Sequence, residues 1–205
     1  MNHVIIAGNI GTGKTTAARL LGALVQDAQV IEESKGLFLE RYYENPAFAF
    51  LNQLDYTIQY FEQARQIMAE RSKSWLFQDR SVLDTHQVFT RMLFKSGSIS
   101  LDEFSLLDRL NRLASEISQP RLLVLLDADP NMCLDRIRHR GDPEERLVKL
   151  SHLELLRSEY LSWFEAFDQC PKSLINTEQS DRKEVAEKII RFMEQTVGGV
   201  ERPAH

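Results

Sequence analysis

Nine consecutive residues, Gly8 to Thr16 (GNIGTGKTT), place glycines, a lysine and hydroxyls at the spacing of a polyphosphate grip. Gly8, Gly13, Lys14 and Thr15 fit the pattern G-x-x-x-x-G-K-[ST]. Gly8, Gly11 and Gly13 let the backbone adopt φ > 0 and come close to an anion. The candidate phosphate-binding set is therefore Gly8, Asn9, Ile10, Gly11, Thr12, Gly13, Lys14, Thr15 and Thr16, with backbone N–H groups turned inward. A helix opening near Gly13 adds the positive end of its dipole. Lys14 reaches terminal phosphates as a point charge, and the Thr15 hydroxyl suits Mg²⁺.

Three further groups along the chain could act on a phosphate ester. Glu32 and Glu33 follow an apolar run ending at Ile31, and either could serve as a carboxylate base or simply be solvated. Asp79-Arg80-Ser81 follows a second apolar run; the acid could hold Mg²⁺ and the arginine could neutralise phosphoryl oxygens. Arg136, Arg138 and Arg140, with Arg146 beyond Gly141-Asp142-Pro143, form a cationic segment. Arg136 and Arg140 share a helical face, which calls for an anionic partner or for pairing with Glu144 and Glu145. Gln53 and Tyr60 are seven apart and share a face of one helix.

The elements that must position these residues alternate. Val4 to Ala7, Ala28 to Ile31, Trp75 to Gln78, Leu122 to Leu126 and Ser173 to Asn176 read as short strands. Between them, helices are expected after Gly13, over Leu37 to Tyr43, Ala47 to Glu70, Val82 to Lys95, Leu101 to Ser118, after Pro130, and over Glu154 to Phe167. A last helix opens at Asp181 and reaches about Thr196, and the tail Gly198 to His205 is expected to fray. Five strand–helix alternations predict an α/β, three-layer fold of the P-loop NTPase type, its five-stranded parallel sheet flanked by helices. At 205 residues a single domain spanning 1–205 is expected, with a short arginine-rich lid over about 138–146.

Composition narrows the classes. A hydrophobic fraction of 43% supports a packed core. The net charge of −5 argues against a general nucleic-acid partner. Two cysteines, Cys133 and Cys170, suggest a reducing compartment with no disulfide framework. The five histidines show no metal-ligand spacing. No signal peptide and no apolar run of about 18 residues is visible, so a cytoplasmic protein without a membrane partner is expected.

Taken together, GNIGTGKTT, QDRSV at Gln78 to Val82 and RIRHRGDPEE at Arg136 to Glu145 resemble the deoxyribonucleoside kinase family, over about Met1 to Phe167. That family includes deoxycytidine, deoxyguanosine and bacterial deoxyadenosine kinases. The resemblance implies transfer of the ATP γ-phosphoryl group to the 5′-hydroxyl of a deoxyribonucleoside, with Mg²⁺ as cofactor and a homodimer as assembly. It makes Glu33, or its neighbour Glu32, the general base, with Lys14 and Arg80 completing the catalytic set. Thr15 and Asp79 become metal-associated, and Arg136 and Arg140 lid residues on the donor phosphates. Glu33, Tyr43, Gln53, Tyr60, Arg80 and Glu145 fall on the nucleoside side, where Phe48, Phe50 and Tyr60 could sandwich a base.

The chain also departs from the family pattern. Ser34 stands where proline usually follows the glutamate, Tyr60 where arginine is frequent, Thr85 where an aspartate partners that arginine, and Asp142 where a second lid arginine is usual. Base preference therefore does not transfer. The alternatives are a nucleoside monophosphate kinase, such as a thymidylate kinase-like enzyme, for which Arg65 and Arg91 are the only extra cations in view, and a non-metabolic ATP-dependent switch. The dimer would use Val88, Leu93, Leu106, Leu107 and Leu110, which could equally belong to the core.

Overall fold

The computed structural model describes residues 1–69, 73–117 and 119–203. The expected helix ends at Glu70 and Ser118, and the tail residues Ala204 and His205, lie outside them. Five strands run parallel: β1 (Asn2–Gly8), β2 (Ala28–Ile31), β3 (Trp75–Asp79), β4 (Leu122–Asp127) and β5 (Lys172–Asn176). Their order across the sheet is β2-β3-β1-β4-β5. The apolar runs are continuous rather than alternating because both faces are covered. Val4 and Ile6 of β1 pack with α1 (Lys14–Leu24) and α8 (Arg182–Thr196). Ile5 and Ala7 point the other way, into a core containing Val88, Leu107, Leu156 and Tyr160.

That second layer is built from α2 (Leu39–Glu44), α3 (Ala49–Ala69), α4 (Val82–Asp84 running through Thr85–Thr90 to Arg91–Lys95), α5 (Leu101–Ile117) and α7 (Leu150–Ala166). The sixth helix, α6 (Pro130–Arg140), starts as its sequence predicts, with Asp129 accepting a bond from Asn131 N at 2.8 Å and proline at the first turn. Its αL terminator is Gly141, at φ 70°. α7 starts one turn earlier than expected, at Leu150, because Lys149 provides no side-chain cap that could mark the start. Within α4, Thr85–Thr90 is a π-helical stretch that the sequence did not announce. Its widened turn presents Thr85 and Phe89 to the central cavity.

Register does the positioning. Ile6 of β1 lies opposite Asp79 of β3, and Ile31 of β2 lies opposite Gln78 of β3. The carboxyl ends of three strands therefore converge, bringing the loop after Gly8, the Glu32-Glu33 pair and Asp79-Arg80 to one edge, where parallel α/β sheets bind ligands. No described helix is long and apolar enough to cross a membrane.

Candidate active site

The phosphate loop is held by its own atoms. Gly8 sits at φ 147°, and a Cβ there would meet Leu126 O at 2.4 Å, so β4 can pass only against a glycine. Gly13, at φ 95°, turns the chain into α1. Asn9 O accepts from Lys14 Nζ and from Thr12 Oγ1, both at 2.9 Å. The Asn9 side chain bonds Leu153 O at 2.8 Å and accepts from Ile10 N at 2.8 Å, tying the loop to α7. Lys14 is buried, and desolvation, then the nearby Arg80 charge, lower its pKa to about 8. Thr15 Oγ1 donates to Asp79 Oδ2. The other oxygen, Asp79 Oδ1, is buried with no partner among the described residues. A hydroxyl beside a carboxylate with a spare oxygen suits a hard cation such as Mg²⁺, whose remaining ligands would be phosphate oxygens and water. Among the described residues there is no cluster of three His, Cys, Asp or Glu side chains able to hold a metal.

Glu32 and Glu33 part company at the end of β2. Glu32 is gripped by Arg19 outside the site, Nε and one terminal nitrogen each 2.6 Å from its oxygens. Glu33 turns into the cavity, where Arg80 donates to its Oε1 at 2.9 Å and Tyr60 Oη donates to the same oxygen at 2.8 Å. Of the two carboxylates, the fold thus presents Glu33 alone to the phosphate loop.

Arg80 is the hub. It takes φ 62°, in the left-handed region where non-glycine residues are strained and where such strain gathers at functional sites. Its guanidinium reaches Glu33, Gly8 O at 3.4 Å and Asp84 Oδ2 at 3.7 Å, and lies 4.7 Å from the centroid of the Phe89 ring. Burial is the largest influence and works against the charge, yet neighbouring anions, Glu33 foremost, raise the pKa well above its ordinary value. Asp84, fully buried, accepts from Ser81 N at 2.7 Å and from Tyr160 Oη at 3.0 Å; desolvation lifts its pKa to about 6 against the pull of Arg80.

Two cavities meet at the loop. The enclosed one, about 110 Å³, is lined by Ile10, Lys14, Thr15, Glu33, Tyr43, Gln53, Asp79, Arg80, Arg140 and Glu145 among others. The broader one, about 540 Å³, runs along Gly11 to Ala17 with Arg136, Arg140, Thr177, Ser180 and Arg182. The narrow, mixed polar and aromatic pocket suits an acceptor, and the wide cleft over the loop suits a nucleoside triphosphate. Arg140 lines both and donates to Glu145, at their junction.

Most of the expected acceptor residues converge. Gln53 is buried and its Oε1 accepts from Thr90 Oγ1 at 3.2 Å. Tyr43 and Glu145 reach the same cavity, Tyr43 from the expected helix, α2. Other expectations need correction. Tyr60 lines neither cavity and stands behind Glu33. Phe48 lies under Arg41 and Phe50 packs, partly buried, against the core, while the aromatics on the wall are Tyr42, Tyr43, Tyr56 and Phe89. Arg136 does line the donor cleft, but its guanidinium is engaged by Gly11 O at 3.3 Å and Thr177 O at 3.0 Å. It braces the loop against the end of β5. Asp142 and Glu144 receive Lys35, at 2.8 and 3.3 Å, which ties the segment after α6 to the one after Glu33.

Sequence reasoning passed over Asn52, Tyr56, Phe89 and His152 on the acceptor side, whereas Thr85, noted as standing where the family has an aspartate, does line the cavity. Asn52 is buried and its Oδ1 has no partner among the described residues, so it offers the cavity an acceptor. A signal existed, since Tyr56 lies three residues from Gln53, one helical turn along the same face. Thr177, Ser180 and Arg182 on the donor side follow the carboxyl end of the last strand, the place where α/β folds gather ligand contacts.

A family model for deoxynucleoside kinases matches residues 4–198. The chain is 30% identical over 204 residues to a deoxyadenosine kinase of Dictyostelium discoideum, covering 94% of this chain and 82% of that one. It is 24% identical over 183 residues to a deoxyadenosine/deoxycytidine kinase of Bacillus subtilis, with 87% and 83% covered. A solved deoxyadenosine kinase from M. mycoides with bound dATP shares the fold at a TM-score of 0.79 and 17% identity, covering 95% of this chain and all of that one. These findings give no support to the monophosphate-kinase or switch alternatives. With the loop, the two cavities and the family match in agreement, the chain belongs to the deoxynucleoside kinase family of ATP-dependent enzymes.

Proposed function

We propose that Glu33 is the general base of this kinase and that the enclosed cavity holds the sugar and base of a deoxyribonucleoside. The observation that carries the reading is the meeting of Glu33 and Arg80 at 2.9 Å on a wall shared with Lys14, Thr15 and Gln53. Glu33 takes the proton of the 5′-hydroxyl, whose oxygen attacks the γ-phosphorus of ATP as the bond to the β–γ bridging oxygen breaks and ADP leaves. Lys14, Arg80 and Arg140 neutralise the charge that spreads over the transferring group. Thr15 and Asp79 would hold Mg²⁺, which would add to the neutralisation of the phosphates. Gln53 reads the base, Tyr43 and Glu145 hold the sugar, and ATP lies along the broad cleft.

We read residues 1–205 as one domain with its lid near 138–146. A homodimer is supported by Leu106 and Leu113, exposed on one stripe of α5 with Leu110 between them. Val88, Leu93 and Leu107 are buried in the core and are not free for that contact. Light scattering at the monomer mass alone would remove the dimer. The free thiols of Cys133 and Cys170 are compatible with a cytoplasmic site.

The test is phosphate transfer from ATP–Mg²⁺ to the four deoxynucleosides, their ribonucleosides and their monophosphates, with Glu33→Gln beside the native protein. The expected outcome is a 5′-monophosphate from one or two deoxynucleosides and a loss of about 10²–10⁴-fold in kcat for the variant. Near-normal turnover by Glu33→Gln would sink the base assignment.

A further inference from the structure

Tyr60 is 2% exposed on α3, yet its hydroxyl donates to Glu33 Oε1 at 2.8 Å. Arg80 donates to the same oxygen at 2.9 Å. No described residue bonds the other oxygen, Oε2, and Glu33 lines the acceptor cavity. We propose that Tyr60 is a positioning residue for Glu33: two donors on Oε1 set the plane of the carboxylate and leave Oε2 to receive the substrate proton. The inference rests on the reading of Glu33 as the base.

Arg80 cannot do this alone. Its guanidinium is shared among Glu33, Gly8 O and Asp84, so it meets Glu33 through a single nitrogen, and one hydrogen bond leaves a carboxylate free to pivot. A second donor from another direction removes that freedom. The phenol is itself immobile. Its ring stacks on Tyr56, with centroids 6.4 Å apart, and packs with Val82 and Ala114. Burial, then the Glu33 charge, raise its pKa well above the ordinary value, so it remains a neutral donor and never competes with Glu33 for the proton. α3 thus carries two linked tasks seven residues apart, Gln53 facing the acceptor cavity and Tyr60 steadying the base.

The experiment is a double-mutant cycle with Tyr60→Phe and Glu33→Gln, read as kcat and nucleoside KM, with Tm recorded for each variant. Tyr60→Phe keeps the ring and deletes only the hydroxyl. The expected result is a 10- to 100-fold loss of kcat with KM and Tm nearly unchanged, since the hydrogen bond removed is to a charged group. In the Glu33→Gln background the same change should cost less than about twofold, because its only route to the reaction is gone. Equal losses in both backgrounds, or a rise in KM with kcat intact, would overturn the positioning role. Turnover retained by Glu33→Gln would overturn the base assignment and this inference together. Loss there with a silent Tyr60→Phe would overturn the inference alone.

Discussion

On the proposed donor side nine consecutive residues, Gly8 to Thr16, form the phosphate loop, whereas the proposed acceptor side draws Glu33, Gln53, Arg80 and Glu145 from four separated segments. The first is a backbone turn with one lysine, and its shape follows from glycines at φ 147°, 83° and 95°. The second uses side chains that hold one another: Tyr160 to Asp84, Asp84 to Arg80, Arg80 and Tyr60 to Glu33. A backbone device keeps its geometry if the local turn survives. A network of buried charges keeps its geometry only if every partner is present, because an orphaned buried ion is costly, typically ~3–5 kcal/mol.

That contrast can be broken most directly at Arg80. Arg80→Ala should lower kcat by about 10²–10³-fold, the usual cost of one transition-state charge stabiliser, and should change nucleoside affinity less. Steady-state kinetics on the preferred deoxynucleoside, with direct binding alongside, will separate the two. A pure KM effect would move Arg80 out of the transition state and reduce the network to scaffolding.

The donor side is sharpened by pH. Burial and Arg80 hold the Lys14 pKa down to about 8, so the free protein loses this proton as pH passes 8. Phosphates favour the charged form, so nucleotide binding takes up a proton in that range. Affinity for ATP should then fall up to about tenfold per pH unit above 8, approaching the limit for one linked proton. Calorimetry in buffers of different ionisation enthalpy reads the proton directly. Equal heats across buffers at pH 8–9 would show that Lys14 is already fully charged in the free enzyme.

The smallest effect is expected where the two sides touch at the surface. Lys35 is 60% exposed and bridges to Asp142 and Glu144 of the proposed lid. Exposed pairs contribute ~0–1 kcal/mol, so Lys35→Ala should change kcat or KM by less than about fivefold, and less still in high salt. A larger, salt-insensitive change would mean that the lid is fastened by this bridge and is not free to close by itself.

Legibility followed the same division. Gly8, Gly13, Lys14 and Thr15 were readable because their spacing is itself the geometry, and the strand before them is a run of Val4 to Ala7 that suits burial on both sides. The five strands, their parallel arrangement and the starts of α6 and α8 were readable for similar reasons, since Asp129-Pro130 and Asp181 are local caps. Arg80 was legible from its place after an apolar strand beside Asp79, the role of Gln53 came from the resemblance, and both line the cavity. The choice between Glu32 and Glu33 was not local. Adjacent residues at a strand end point opposite ways, and only the placement of Arg19 and Tyr60 decided which one faced inward.

Local signals along the chain were enough for the phosphate loop, the succession of strands and helices, and the list of charged groups at the strand ends. These follow from glycine conformational freedom, hydrophobic periodicity and capping, all of which act over a few residues. The tertiary structure alone decided that Tyr60 stands behind Glu33, that Arg136 braces Gly11 against Thr177, and that Thr85 and Phe89 enter the cavity through a widened turn. Those outcomes depend on sheet register and on helix packing across the core, where contacts join residues tens of positions apart and no local spacing encodes them.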